Sequence, residues 1–86
     1  MLGFLGGTGP EGRGLALRLA LAGERVIIGS RDAARAEETA RSLQTAHHLS
    51  EVYGGLNEEV ARRGDILFIT VPFPAQQRLL EPLKGP

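Results

Sequence analysis

Short apolar runs alternate with segments of helical character along this 86-residue chain. The runs at 2–6, 25–29 and 65–71 place apolar residues on consecutive positions, which suits strands covered on both faces. Apolar spacing, capping residues and stop signals predict helices over about 11–22, 33–46, 57–63 and 74–83. A strict alternation of strand and helix predicts a parallel sheet joined by right-handed crossovers.

A short third strand at Glu51-Val52-Tyr53, directly before Gly54-Gly55, completes the pattern. We therefore predict one α/β domain over residues 1–86, a Rossmann-type three-layer sandwich. Its four parallel strands are expected in the order 3-2-1-4, with helices on both faces. Gly23 is expected to stop the first helix, and Ser30 or Asp32 to cap the second.

Composition excludes several classes of protein. Ten basic and ten acidic residues give no net charge, and the basic residues form no block, which argues against a nucleic-acid or membrane-surface protein. The chain has no cysteine, and its adjacent pair His47-His48 is expected at a loop or helix end, so we expect no metal site. The N-terminus lacks the features of a signal peptide or membrane span, and a cytoplasmic location is the expectation.

A glycine-rich turn lies between the first strand and the first helix. Gly7-Thr8-Gly9-Pro10-Glu11-Gly12 fits the pattern G-x-G-x-x-G, which binds dinucleotide pyrophosphates in this context. Gly7 would permit the tight turn, Gly9 the approach of the backbone to the pyrophosphate, and Gly12 the packing of helix on strand. The N-terminus of the helix would supply free N–H groups to the anion. The alternative is a glycine turn without a ligand.

The end of the second strand indicates which dinucleotide is bound. An acidic residue about 20 positions after the turn would bind the adenosine ribose of NAD, but this chain has Ser30-Arg31 there. A hydroxyl and a guanidinium can donate to a 2′-phosphate, and Arg35 can close the same pocket. NADP is therefore favoured over NAD. Alternatively, Ser30 and Asp32 only cap the helix, and both arginines are solvated.

Val71-Pro72-Phe73 follows the fourth strand, close to the point where the strand order reverses and ligands bind in open α/β sheets. Phe73 could pack against the nicotinamide or its ribose. It could equally be an ordinary apolar residue that covers the core.

The segments from Gly6 to Ala20 and from Gly23 to Arg31 together resemble the NADPH-dependent reductases of the deazaflavin coenzyme F420. The resemblance implies that Thr8 lies near the pyrophosphate and that Ser30, Arg31 and Arg35 hold the 2′-phosphate, although the family usually has Lys at the last position. It also implies that Val71-Pro72-Phe73 is a third cofactor contact. Members of the family continue beyond the length of this chain.

The resemblance implies hydride transfer between NADPH and a deazaflavin or flavin-like acceptor. That step requires positioning of the two coenzymes and no dedicated acid or base. The alternatives are a non-catalytic dinucleotide-binding module and a fragment of a longer dehydrogenase. We also expect a homo-oligomer, because the apolar fourth strand would leave an open sheet edge.

Overall fold

The computed structural model describes residues 1–70, which form four strands and three helices. Their order is β1 (Leu2–Leu5), α1 (Pro10–Leu21), β2 (Val26–Ser30), α2 (Ala33–His47), β3 (Val52–Leu56), α3 (Asn57–Arg63) and β4 (Ile66–Ile69). These elements confirm the predicted alternation. The helix predicted over 74–83 lies outside the described residues.

All four strands are parallel and lie in the order β3-β2-β1-β4, as predicted for a Rossmann-type fold. The chain adds β2 and β3 on one side of β1 and then returns to add β4 on the other side. Because crossovers are right-handed, this reversal sends α3 to the opposite face of the sheet from α1 and α2.

The buried side chains form one cluster on each face of the sheet. Ala16 and Ala20 of α1 and Ala40 and Leu43 of α2 share one cluster with strand residues, and Val60 of α3 belongs to the other. Every residue of β2 is buried, which is why its sequence is an apolar run without alternation. The described residues are therefore a three-layer sandwich.

The third strand is longer than its sequence predicted. It continues through Gly54 and Gly55, where the predicted strand had already ended, and ends at Leu56. A side chain on Gly54 would collide with the backbone of Ala36 in α2. Gly54 therefore allows close packing of helix on strand.

Local signals set the ends of the helices. Gly23 has φ +95° after α1, and the N–H groups of Gly23 and Glu24 donate to the carbonyls of Ala20 and Leu19. This is a Schellman motif, and it confirms Gly23 as the stop. His47 ends α2, and His48 caps it in the left-handed conformation with φ 54°, so the histidine pair lies at a helix end as expected.

The edge strand β4, beside β1, is the most exposed of the four strands. Ile66, Leu67 and Ile69 are 57%, 41% and 38% exposed, although Phe68 stacks on the buried Phe4 with ring centroids 5.0 Å apart. Within residues 1–70, β1 is the only strand that pairs with β4. In the same part of the chain, none of the helices has the length and apolar character needed to cross a bilayer.

Candidate functional site

The glycine-rich turn leaves the carboxyl end of β1, the strand whose neighbours are β2 and β4. Its left-handed residue is Gly6, with φ 68°. The sequence pattern assigned the tight turn to Gly7, and the left-handed residue of that turn is the one before it. Gly7 is required for a steric reason, because a Cβ there would lie 2.9 Å from the carbonyl oxygen of Phe4 and 3.1 Å from Cγ2 of Ile28.

Gly12 brings the start of α1 against the turn and against the end of β4. A Cβ on this residue would lie 2.6 Å from Oγ1 of Thr70 and 2.8 Å from Cα of Gly7. Such distances leave no room for any side chain, so the predicted role of Gly12 in close packing agrees with the structure.

Gly9 differs from the other two glycines of the pattern. It has φ −74°, which any residue adopts, and apart from its chain neighbours no atom of residues 1–70 lies within 4 Å of a Cβ built on it. Neither the conformation nor the packing of the described residues therefore requires a glycine here. The absent side chain leaves open space beside the turn, which is what the approach of a ligand to the backbone needs.

The start of α1 has several backbone donors without a partner. Gly9 is the N-cap and supplies no side-chain cap, and the first N–H of the helix that reaches a backbone carbonyl belongs to Arg13. Pro10 has no N–H to donate. Within residues 1–70, no acceptor is found for four N–H groups, those of Thr8, Gly9, Glu11 and Gly12. Free donors at a helix N-terminus favour the binding of an anion.

The second segment of the site begins at Ser30, the last residue of β2. Ser30 is buried, and its hydroxyl oxygen accepts a hydrogen bond from the N–H of Asp32 at 3.1 Å. Asp32 caps α2 by accepting from the N–H groups of Ala34 and Arg35. The cap thus uses the carboxylate of Asp32, and the hydroxyl hydrogen of Ser30 is left to donate elsewhere.

Arg31 and Arg35 flank this hydroxyl in sequence, and both side chains are exposed. Neither guanidinium forms an ion pair or a side-chain hydrogen bond with residues 1–70. The start of α2 therefore has two cationic groups that form no ion pair with a carboxylate of residues 1–70.

A backbone hydrogen bond holds the glycine turn beside the end of β2. The N–H of Gly7 donates to the carbonyl of Gly29 at 2.9 Å, so the turn after β1 is held directly beside the residue that precedes Ser30. The structure thus brings the glycine turn and Ser30-Arg31 to the same edge of the sheet. The predicted contacts Val71, Pro72 and Phe73 lie outside the described residues.

Two side chains that no sequence motif identified also hold the turn. Oδ1 of Asn57 accepts from the N–H of Gly6 at 3.1 Å, and Oγ1 of Thr70 donates to the carbonyls of Leu5 and Gly6 at 3.1 and 3.3 Å. All three contacts join residues more than 50 positions apart. Only their positions near the carboxyl ends of predicted strands, at the ligand-binding edge, could have indicated these side chains.

Comparison with known proteins matches residues 1–86 to the family described as NADP oxidoreductase, coenzyme F420-dependent. Similar proteins include the F420-dependent NADP reductase of Methanothermobacter marburgensis, which is 46% identical over 96% of this chain and 38% of the relative. The corresponding reductase of Methanothermobacter thermautotrophicus is 41% identical over 96% of this chain and 37% of the relative. That of Methanocaldococcus jannaschii is 37% identical, over 98% and 41%. The chain spans about two fifths of the length of these relatives.

The packing of Gly12 makes a prediction about stability. Gly12→Ala should lower the free energy of unfolding by about 1–3 kcal/mol, because its Cβ has no space between Thr70 and Gly7. Gly14→Ala is the matched control in the same helix. Its Cβ meets no atom within 4 Å, and the gain in helix propensity should stabilise the chain by about 0.5–1 kcal/mol. Chemical denaturation of both variants measures the difference, and a Gly12→Ala variant as stable as wild type would contradict the described packing.

Proposed function

Since this chain belongs to the family of coenzyme F420-dependent NADP oxidoreductases, we propose that it binds NADP(H) at the edge where β1 and β2 end. The observation that carries the proposal is the hydrogen bond from Gly7 to Gly29. It places a turn with free N–H groups beside a serine and an arginine, so one dinucleotide could contact both.

The pyrophosphate would lie on the turn. The free N–H groups of Thr8, Gly9, Glu11 and Gly12 would donate to its oxygens, and the positive end of the α1 dipole would favour its charge. The open space beside Gly9 would allow the phosphates to approach the backbone. Pro10 at the first position of α1 fits this arrangement, because it fixes the start of the helix without using a donor.

The 2′-phosphate of NADP would lie at the start of α2. The hydroxyl of Ser30 and the guanidinium groups of Arg31 and Arg35 would donate charge-assisted hydrogen bonds to it. No carboxylate occupies the end of β2, where an acidic residue would repel this phosphate and bind the ribose of NAD instead. The chemistry of the donors therefore fits NADP(H) better than NAD(H).

When bound, NADPH supplies a hydride that a deazaflavin or another flavin-like ring can accept. The contribution of the described residues would be to fix the nucleotide so that its reactive end has one position relative to the acceptor. We propose that the chain is the NADP(H)-binding part of such an oxidoreductase. The second candidate is a non-catalytic dinucleotide-binding module or part of a longer dehydrogenase, which would hold the nucleotide with the same residues.

We also propose that two copies associate through β4. Its outer edge has no partner strand within residues 1–70, and three of its four side chains are large, apolar and at least 38% exposed. An exposed apolar edge of this kind favours association.

For location, we propose the cytoplasm, because NADPH is a cofactor of reactions inside the cell. Fractionation of the source cells would test this location.

Removal of the guanidinium of Arg31 should weaken the binding of NADPH selectively. A hydrogen bond to a charged group contributes about 1.5–3 kcal/mol, so Arg31→Ala should lower NADPH affinity about ten- to a hundredfold. NADH has no 2′-phosphate and should lose little. Arg41→Ala is the matched control, because Arg41 is another exposed arginine of α2 without an ion pair in the described part of the chain. Titration calorimetry with both nucleotides measures these affinities.

Ser30→Asp should lower the preference for NADPH further than Arg31→Ala does. The new carboxylate would repel the 2′-phosphate and accept hydrogen bonds from the ribose hydroxyls, so the preference for NADPH should narrow or invert.

Equal losses of NADPH and NADH affinity in Arg31→Ala would show that this side chain does not bind the phosphate. A wild-type chain that binds neither nucleotide would reject the proposed cofactor.

Catalysis by this chain is tested by mixing it with NADPH and either coenzyme F420 or free flavin. An oxidoreductase should oxidise NADPH, followed by its absorbance, with reduction of the acceptor in equal amount. Binding of NADPH without turnover would favour the non-catalytic module. The same assay with Arg31→Ala should show a raised KM for NADPH, whereas Arg41→Ala should behave as wild type.

Association is tested by light scattering of the purified chain at micromolar concentration. We expect a dimer, and Ile69→Lys should shift it toward monomer, because a charge at the exposed edge opposes pairing. Glu24→Lys introduces the same residue at an exposed position of the α1–β2 connection and should leave the dimer intact. A folded monomer of the wild type would reject the proposal.

A further inference from the structure

Asn57 lies in none of the sequence motifs, yet it contacts the start of the glycine turn. It is the first residue of α3, directly after β3, and is only 5% exposed. Its Oδ1 accepts from the N–H of Gly6 at 3.1 Å. Since β2 lies between β3 and β1, the side chain reaches across the end of one strand to the turn that follows another.

Gly29 makes this reach possible. A Cβ on Gly29 would lie 2.6 Å from Oδ1 of Asn57, so any side chain there would displace the amide. The carbonyl of Gly29 in turn accepts from the N–H of Gly7 at 2.9 Å. Two consecutive N–H groups of the turn are therefore held, the first by Asn57 and the second by Gly29.

The peptide group between Leu5 and Gly6 is restrained on both sides. Its N–H donates to Asn57, and its carbonyl, that of Leu5, accepts from both the hydroxyl and the N–H of Thr70. Asn57 follows β3 and Thr70 follows β4, and these two strands lie on opposite sides of β1. These contacts set the plane of this peptide before the chain turns at Gly6. Gly6 has a left-handed conformation, so the direction of the peptides that follow depends on this plane.

We propose that Asn57 is a positioning residue of the nucleotide site. By fixing the peptide at Gly6, it directs the next N–H groups, those of Thr8 and Gly9, toward the phosphates. This inference rests on the proposed function, because it assigns Asn57 to the same pyrophosphate contact. The pyrophosphate is common to NADPH and NADH, so loss of Asn57 should weaken both equally, unlike loss of Arg31.

Gln44 provides a matched control for Asn57. Its side-chain amide donates to the carbonyl of Val52 at the opposite end of β3, so it is also a partly buried amide that bonds to the backbone. Gln44→Ala removes a contact of the same kind away from the turn. Any general loss of packing should affect the two variants alike.

The experiment compares the wild type, Asn57→Ala and Gln44→Ala by calorimetric titration with NADPH and with NADH. One hydrogen bond corresponds to about three- to tenfold in affinity, and Asn57→Ala should lose this factor for both nucleotides. Gln44→Ala should lower the midpoint of thermal unfolding and leave both affinities unchanged. Equal affinities in Asn57→Ala and wild type, or equal losses in the two variants, would overturn the inference.

Amide hydrogen exchange gives a second measurement, which uses the wild type alone and so does not depend on the folding of a variant. The N–H of Gly6 in the wild type without nucleotide should exchange much more slowly than in an unstructured peptide. Exchange at the unstructured rate would overturn the inference. A wild type that binds neither nucleotide would overturn the proposed function as well, whereas wild-type binding that Asn57→Ala retains in full overturns only the role of Asn57.

Discussion

The reversal of strand order after β3, by which β4 is added on the other side of β1, is the constraint on which the rest of the structure depends. It makes β1 an interior strand, flanked by β2 and β4, and it moves α3 to the other face of the sheet. The turn that leaves β1 therefore lies between the ends of two parallel neighbours. Groups from both can hold it, and it still faces solvent at the edge of the sheet, where ligands bind in folds of this kind.

Close packing explains most of the glycines at this edge. Gly7, Gly12 and Gly29 each lie where a Cβ would come within 3.0 Å of another part of the protein. Gly9 has no such neighbour among residues 1–70, so the packing of this part of the chain does not require its lack of a side chain. One sequence pattern thus contains two kinds of glycine, some that allow the fold and one that gives access to the turn.

The sequence predicted those features that depend on local patterns. The consecutive apolar residues of β2, the cap at Asp32 and the stop at Gly23 each follow from neighbours in sequence. The strand order follows from the Rossmann-type topology that the alternation of strands and helices indicates. The contacts of Asn57 and Thr70 could not be predicted in this way, because their partners lie more than 50 positions away.

The continuation of β3 through Gly54 was missed for the same reason, since only the packing of α2 reveals why glycine is required there. The role of Gly6 was missed because the pattern places its first glycine one position later. The assignment of Ser30, Arg31 and Arg35 to a phosphate came from their chemistry at the end of β2. It stays a prediction, as do the contacts at Val71, Pro72 and Phe73, which lie outside the described residues.

The central claim is that the turn binds the pyrophosphate and the start of α2 binds the 2′-phosphate of one NADP molecule, and nuclear magnetic resonance tests it most directly. The ¹⁵N-labelled chain would be titrated with NADP⁺ and, separately, with NAD⁺. We expect the amide signals of Thr8, Gly9 and Gly12 to shift with both nucleotides, and the guanidinium signals of Arg31 and Arg35 to shift with NADP⁺ alone. Arginine signals that respond equally to both nucleotides, or turn amides that respond to neither, would contradict the account.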